Sequence, residues 1–324
     1  MKELPHKINE IKKLATLLDS TEQSQTRNES IEEGKLQDIL EKYRTETKNI
    51  DYIETGFKSI DSLIKGFTFG EIVVIGARPA MGKTGLLLNM ALNISAFSEN
   101  KIPSLYIDLE YSLKGTAKRI LTILDKDTNQ NIDKLSDSNI FMLSSNGYID
   151  EIIERIEYYN KNEDVRIVFI DYIQLVNSTQ NKIYRDLQLT TIIRKLKQIA
   201  RTNNISIIFS SQLNRNVEYR AGERRPMLSD LRDSGSLEQE VDKVLFLHRA
   251  EYYGLTEDWD GNSTAGVAEI IVAKNRSGKT GEVYIHYNKE SSAFENFDDK
   301  YLKFGELDTN IILKSEFDER DCDF

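Results

Sequence analysis

Residues 76–84, GARPAMGKT, set a lysine and a threonine directly after Gly82, between a β-branched run, EIVVI, and an apolar segment carrying Leu86, Leu87 and Met90. A strand, a glycine-containing loop and a helix in that order make an anion site, because loop amides and the positive end of the helix face the same point. A nucleoside triphosphate is the ligand such a site suits. Gly82 lets the backbone approach the phosphates, the Lys83 ammonium reaches the β and γ oxygens, and the Thr84 hydroxyl is placed to hold Mg²⁺. The general pattern G-x-x-x-x-G-K-[ST] asks for glycine where this chain has Ala77, and its glycine, Gly76, comes one place too early. Ala77, Arg78, Pro79, Ala80, Met81, Gly82, Lys83, Thr84 and Gly85 form the candidate ATP loop, provided that Ala77 adopts a conformation open to a small residue.

Three more strand ends carry groups that phosphate hydrolysis needs. RIVFIDY ends on Asp171, where a second Mg²⁺ contact belongs beside a phosphate loop; alone, such an aspartate reads as a helix cap or loop residue. SLYIDLEYS puts Glu110 just past a strand end, as the candidate to orient or deprotonate the attacking water. Asp108 competes for that role, since alternation along 105–109 leaves its direction open. ISIIFSSQLNR carries Gln212, an amide able to contact the γ-phosphate and report its loss, though alone it reads as a loop glutamine. Beyond it, NRNVEYRAGERRPMLSDLRDSGSLEQ mixes Arg215, Arg220, Arg224, Arg225 and Arg232 with acidic residues. That is a solvated loop or, with the small residues of DSGS, a sequence-independent grip on a single strand. IVAKNRSGKTGEV is a strand, turn and strand with Lys274 and Arg276 at its tip, as surface decoration or as a finger reaching a neighbouring subunit's nucleotide.

These groups need a scaffold that gathers strand ends. EIVVI, SLYIDL, RIVFI, ISIIFS, KVLFL, AEIIVA and EVYIHY alternate with helical segments, which predicts an α/β domain with a mainly parallel central sheet over 51–304. Ahead of it the pattern predicts an amphipathic helix over 1–18, a polar linker over 19–30 and a helix over 31–50. The last opens on a capping box, Ser30 with Glu33, and bears Leu36, Ile39, Leu40 and Tyr43 on one stripe. Residues 305–324 form an acidic tail. At 324 residues and 39% hydrophobic, the chain can bury a real core. Its net charge of −10 argues against coating nucleic acid by bulk electrostatics, but not against a local basic channel. The single cysteine, Cys322, excludes a disulfide framework and fits a reducing compartment. No apolar run approaches the roughly 20 residues that span a bilayer, and MKELPHKINE lacks the core of a signal peptide, so the expectation is a cytoplasmic protein with no membrane partner.

Taken in order, TGFKSIDSLIKGF, GARPAMGKT, DLEYS, IDYIQLV, SSQLNRNVEYR, RPMLSDLRDSGSLEQEVDKVLFLHRAEYY and AKNRSGKTGEV make residues 55–296 resemble the C-terminal motor domain of DnaB-type replicative DNA helicases. These are hexameric relatives of the RecA fold. The family commonly reads A-R-P-x-M-G-K-T, so Ala77 is a family variant. The resemblance implies a RecA-like P-loop NTPase domain and an ATP- and Mg²⁺-dependent ring helicase moving 5′ to 3′ on single-stranded DNA. It assigns phosphate and Mg²⁺ to Lys83 and Thr84, the metal through water to Asp171, the hydrolytic water to Glu110 and the γ-phosphate to Gln212. It makes Lys274 and Arg276 the pair acting in trans, and sets Arg232, Asp233 and Gly235 along the DNA backbone inside the ring. Implied partners are single-stranded DNA, further copies in a hexameric ring, and a loader or primase.

Two departures stand out. Tyr111 occupies a position where methionine is common, and a short helix and polar spacer precede Ser30 where the family carries a helical domain of roughly a hundred residues. The second bears on a collar and on primase docking. The 31–50 helix matches the family's linker helix, whose stripe packs on the adjacent motor. Two other readings compete: a shortened homologue that joins or blocks a full-length ring, and a RecA-like DNA-dependent ATPase that does not unwind. The set Lys83, Glu110, Asp171, Gln212 and Arg276 speaks against pure inhibition, and LSDLRDSGSLEQEVD favours the helicase over the second.

Overall fold

β-Branched residues favour extended backbone, and the runs rich in them form the middle of this protein. The computed structural model describes residues 36, 52–124, 135–178, 185–220, 222–258 and 261–297. Tyr52–Ile53 (β1) and Phe67–Thr68 (β2) pair as a small antiparallel ribbon on either side of Lys58–Ile64 (α1). The main sheet follows: Ile72–Ala77 (β3), Ser104–Asp108 (β4), Ile140–Ser144 (β5), Ile167–Asp171 (β6), Ser206–Gln212 (β7), Lys243–His248 (β8), Val267–Asn275 (β9), Gly281–Asn288 (β10) and Ala293–Glu295 (β11). Its order is β11-β10-β9-β8-β3-β7-β6-β4-β5. Strands β8, β3, β7, β6, β4 and β5 are parallel, and β9, β10 and β11 extend one edge antiparallel. This is the mainly parallel α/β sheet that the alternation predicts. All seven β-branched runs are strands; β5, at the far edge and only half-buried, and the three-residue β11 have no comparable signal.

Helices Lys83–Leu92 (α2), Leu113–Ile123 (α3), Ile149–Glu163 (α4), Arg185–Thr202 (α5) and Gly235–Glu240 (α6) complete the fold. Side chains alternate across a strand, so β3 serves two cores. Val73 and Ile75 pack with Leu86, Leu87 and Met90 of α2, whereas Ile72 and Val74 pack with Ile152 and Ile156 of α4 and Ile192 and Leu196 of α5. Both faces are covered, which is why β3 reads as an unbroken apolar run. Each of these aliphatic side chains contributes roughly 1.5–3 kcal/mol by burial.

Parallel register then delivers the chemistry. Ala77 stands opposite Gln212, and Asp108 opposite Asp171, so all four lie on the carboxyl-terminal edge of the sheet. The expected 1–18 helix, the 19–30 linker, the 305–324 tail with Cys322, and all of the 31–50 helix except Leu36 lie outside the described residues; Leu36 is helical and 71% exposed. Among the described residues no helix is long and apolar enough to cross a membrane.

Candidate active site

Ala77 is the last residue of β3, and its carbonyl accepts the Leu213 N–H at 3.2 Å. A buried strand residue accommodates a β-carbon, which explains alanine where the general pattern has glycine. Gly76 answers a different need: a β-carbon there would lie 2.8 Å from Phe246 Cδ1 and 2.9 Å from Leu213 Cδ2, leaving no room in the sheet. The loop turns through left-handed backbone at Ala80 and Gly82, and a β-carbon on Gly82 would also meet Phe294 Cζ at 2.8 Å. Helix α2 starts there with Lys83 and Thr84 in its first turn. Pro79 and Ala80 are exposed at the tip, while Met81 is buried in the core below. The Arg78 guanidinium points away from the loop, donating to Glu218 at 2.6 and 2.9 Å and to the Leu213 carbonyl at 2.6 Å.

Lys83 Nζ donates to the carbonyls of Ala77 at 3.3 Å and Arg78 at 3.4 Å. Burial pulls this ammonium down to about 8, against the carboxylates of Asp171 and Glu110, which favour the charge. A cation in so dry a place, whose bonds among the described residues are two long ones to neutral oxygens, suits an anionic ligand. Asp171 is buried and accepts from the hydroxyls of Ser210 and, at 3.3 Å, Tyr106.

The two carboxylates left open by alternation differ sharply. Asp108 is fully buried and accepts the N–H groups of Glu110 at 2.9 Å and Tyr111 at 2.7 Å and the Thr116 hydroxyl at 2.6 Å. It builds the turn into α3. Glu110 is exposed on the same edge, close enough to act on Lys83. Asp108→Ala should therefore cost about 1–3 kcal/mol of stability by orphaning buried donors, measured by urea unfolding. Glu110→Gln should leave stability and nucleotide affinity unchanged and lower turnover at least a hundredfold; an active Glu110→Gln protein would move the base elsewhere.

Gln212 ends β7, exposed beside the loop. Two residues on, the Asn214 N–H reaches the Asp230 carbonyl at 3.0 Å, and the buried Asp230 carboxylate takes the Arg220 guanidinium at 2.8 and 3.1 Å and the Met227 N–H at 2.7 Å. Asp230 thus pins the 3₁₀ segment Leu228–Ser234 to the strand end. The backbone of Arg232 and Asp233 lies in that segment and Gly235 opens α6; their side chains lie outside the described residues.

Lys274 and Arg276 are not brought to this edge. Lys274 Nζ donates to the Glu238 carbonyl, and Arg276 to the Gln239 carbonyl and, at 3.5 Å, to Asp242. Asp242 in turn accepts the N–H of Ile72, the first residue of β3. The length of β3 separates that end from Ala77, roughly 17 Å at about 3.3 Å per residue.

Residues 52–296 match the DnaB-like helicase C terminal domain. The chain belongs to the DnaB-like helicase family. It is 34% identical over 273 residues to a probable plasmid replicative DNA helicase of Chlamydia psittaci, covering 78% of this chain and 57% of that one. The replicative helicase DnaB of Helicobacter pylori is 32% identical over 332 residues, at 85% and 66% coverage. The chain thus spans less than two thirds of the length of these curated relatives. Among solved structures, a chain described as an ATPase domain superposes with a TM-score of 0.72 at 32% identity, covering 82% of this chain and all of that one. A DnaB-like replicative helicase, described with its interactions with primase, gives 0.70 at 30% identity, covering 87% and 71%. The fold is accordingly the RecA-like ATPase fold of DnaB helicases.

Family membership implies nucleotide with Mg²⁺, and the donors present fit it. Among the described residues no cluster of three or more His, Cys, Asp or Glu could cage a metal. Mg²⁺ generally takes one or two carboxylates with phosphate oxygens and water, and Asp171 with Thr84 are the residues that would hold it here. Sequence reasoning missed Gln174, the Arg78–Glu218 pair and the wall behind Gly82, where Phe294 packs on Tyr287 and Arg249 lies 3.6 Å over the Tyr287 ring. These depend on tertiary register, which local patterns do not carry.

Proposed function

We propose that this chain is the motor of a ring helicase that hydrolyses ATP between subunits, moves 5′ to 3′ along single-stranded DNA and so unwinds duplex during replication. The observation that supports this reading is the separation of Lys274 and Arg276 from their own Lys83 by about the length of β3, which favours their acting on another copy. In this scheme Lys83 neutralises the β and γ oxygens, and Glu110 orients the attacking water. Lys274 and Arg276 of the neighbouring copy offset the charge that develops on the transferred phosphoryl group. Thr84 and Asp171 would hold Mg²⁺, which when bound would supply positive charge against the phosphates. Gln212 contacts the γ-phosphate, and its loss is passed through Leu213, Asn214 and Asp230 to the segment bearing Arg232. That path links hydrolysis to movement of DNA. A loader and a primase are further partners in this scheme.

A strand-displacement assay on forks with a 5′ or a 3′ tail tests the reading. Unwinding only with the 5′ tail is the expected result; DNA-stimulated ATPase without displacement would favour the non-unwinding ATPase, and neither activity a partner protein. If Arg232 grips phosphate, Arg232→Ala should weaken binding equally across unrelated single strands and lower the salt slope by roughly one unit. Fluorescence anisotropy at several salt concentrations measures both; a sequence-selective loss would move the DNA path elsewhere.

A further inference from the structure

We infer that Gln174 is a positioning residue that sets Gln212 against the bound γ-phosphate, an inference that rests on the proposed role of Gln212. Strand β6 stops at Asp171 and its last pairing with β7 is Ile170 with Phe209, yet β7 continues to Gln212. Among the described residues the end of β7 therefore lacks a ladder partner on the β6 side, and a carboxamide fills the place. Gln174 Oε1 accepts the Gln212 N–H at 3.2 Å, while its Nε2 donates to the Gln212 carbonyl at 3.1 Å and to Ser211 Oγ at 2.9 Å. One side chain thus satisfies both backbone groups of Gln212, as a neighbouring strand would. Its own placement is fixed, because Ile173 and Val176 on either side are fully buried and the 3₁₀ turn Ile173–Leu175 is closed by Leu175 N–H to Tyr172 carbonyl and Val176 N–H to Ile173 carbonyl. The same turn leaves β6 directly after Asp171. Gln174 consequently ties the Asp171 strand to the Gln212 strand at the point where both meet the nucleotide.

An error of about 1 Å in a reacting constellation costs on the order of a hundredfold, so the effect belongs in turnover rather than affinity. In the full chain with DNA and Mg²⁺, Gln174→Ala should lower kcat for ATP about tenfold to a hundredfold with KM changed less than about twofold. The double variant Gln174→Ala with Gln212→Ala should be no slower than Gln212→Ala alone, since the first change acts only through the second residue. Gln174→Glu, of nearly the same volume, keeps the acceptor for the Gln212 N–H but sets a carboxylate oxygen against its carbonyl; it should also lower kcat and guards against a loss caused by unfolding. A wild-type kcat in Gln174→Glu, or losses that multiply in the double variant, overturns the inference while leaving Gln212 in its role. Full turnover in Gln212→Ala alone overturns both.

Discussion

Lys83→Ala protein should retain its fold and lose nearly all ATPase activity, a fall of at least a hundredfold in steady-state turnover. In the proposed scheme the ammonium meets the β and γ oxygens, and among the described residues it sits in a dry position with two long bonds to carbonyls. Without it the charge developing between those phosphates has no compensation, and the Asp171 and Glu110 carboxylates lose the cation that offsets them. Stability should move the other way. Burial depresses the Lys83 pKa from its ordinary 10.5 to about 8, so the folded state disfavours the proton that the unfolded chain keeps. That cost is fully present below pH 8 and fades as pH rises toward 10.5. At pH 7 the alanine variant should melt at or above the wild-type temperature, the pattern of a site whose function opposes stability. A folded Lys83→Ala protein within about tenfold of wild type, roughly 1.4 kcal/mol, would remove the loop from the mechanism.

How far the sequence carries the site depends on whether a feature is local. Five of the β-branched runs announce β3, β4, β6, β7 and β8 because both faces are buried there and leave an apolar string, whereas EVYIHY announces β10 by alternating buried and more exposed residues. Strand β5 is half-buried at an edge, and its IFMLS gives no such string. Ala77 poses a puzzle in the pattern that the backbone resolves, since strand geometry there asks for no glycine. The choice between Asp108 and Glu110 stays open in sequence because alternation gives a side and not a set of bonds. Three donors converging on Asp108 engage it structurally, and Glu110 is left facing solvent near Lys83. Gln174 escapes notice for the same reason: a glutamine in IDYIQLV acquires meaning only when β7 is seen to outrun β6.

The Lys274 and Arg276 pair yields the most demanding prediction. Their tip position permits decoration or a finger, and within one chain they bond to the end of α6 and to Asp242, on the opposite edge of the sheet from the loop. A finger is worth roughly 10³–10⁵ in rate, so Arg276→Ala protein should be nearly inactive although its own Lys83, Glu110 and Asp171 are intact. Its nucleotide affinity should change little, because in the proposed scheme the pair acts on charge that develops only in the transition state. Mixing then separates trans from cis action. Arg276→Ala and Lys83→Ala proteins, each inactive alone, should regain ATPase when assembled together, since some interfaces join an intact loop from the first to an intact arginine from the second. In a randomly mixed ring about a quarter of the interfaces are of that kind, which bounds the recovery near a quarter of wild-type turnover if sites fire independently and lower if they must fire in sequence. Native mass spectrometry with one protein isotopically labelled establishes that mixed rings form. Mixed rings with no recovery, alongside wild-type rings that hydrolyse ATP, would mean that Arg276 works inside its own chain, which would require the β9–β10 tip to swing the length of β3.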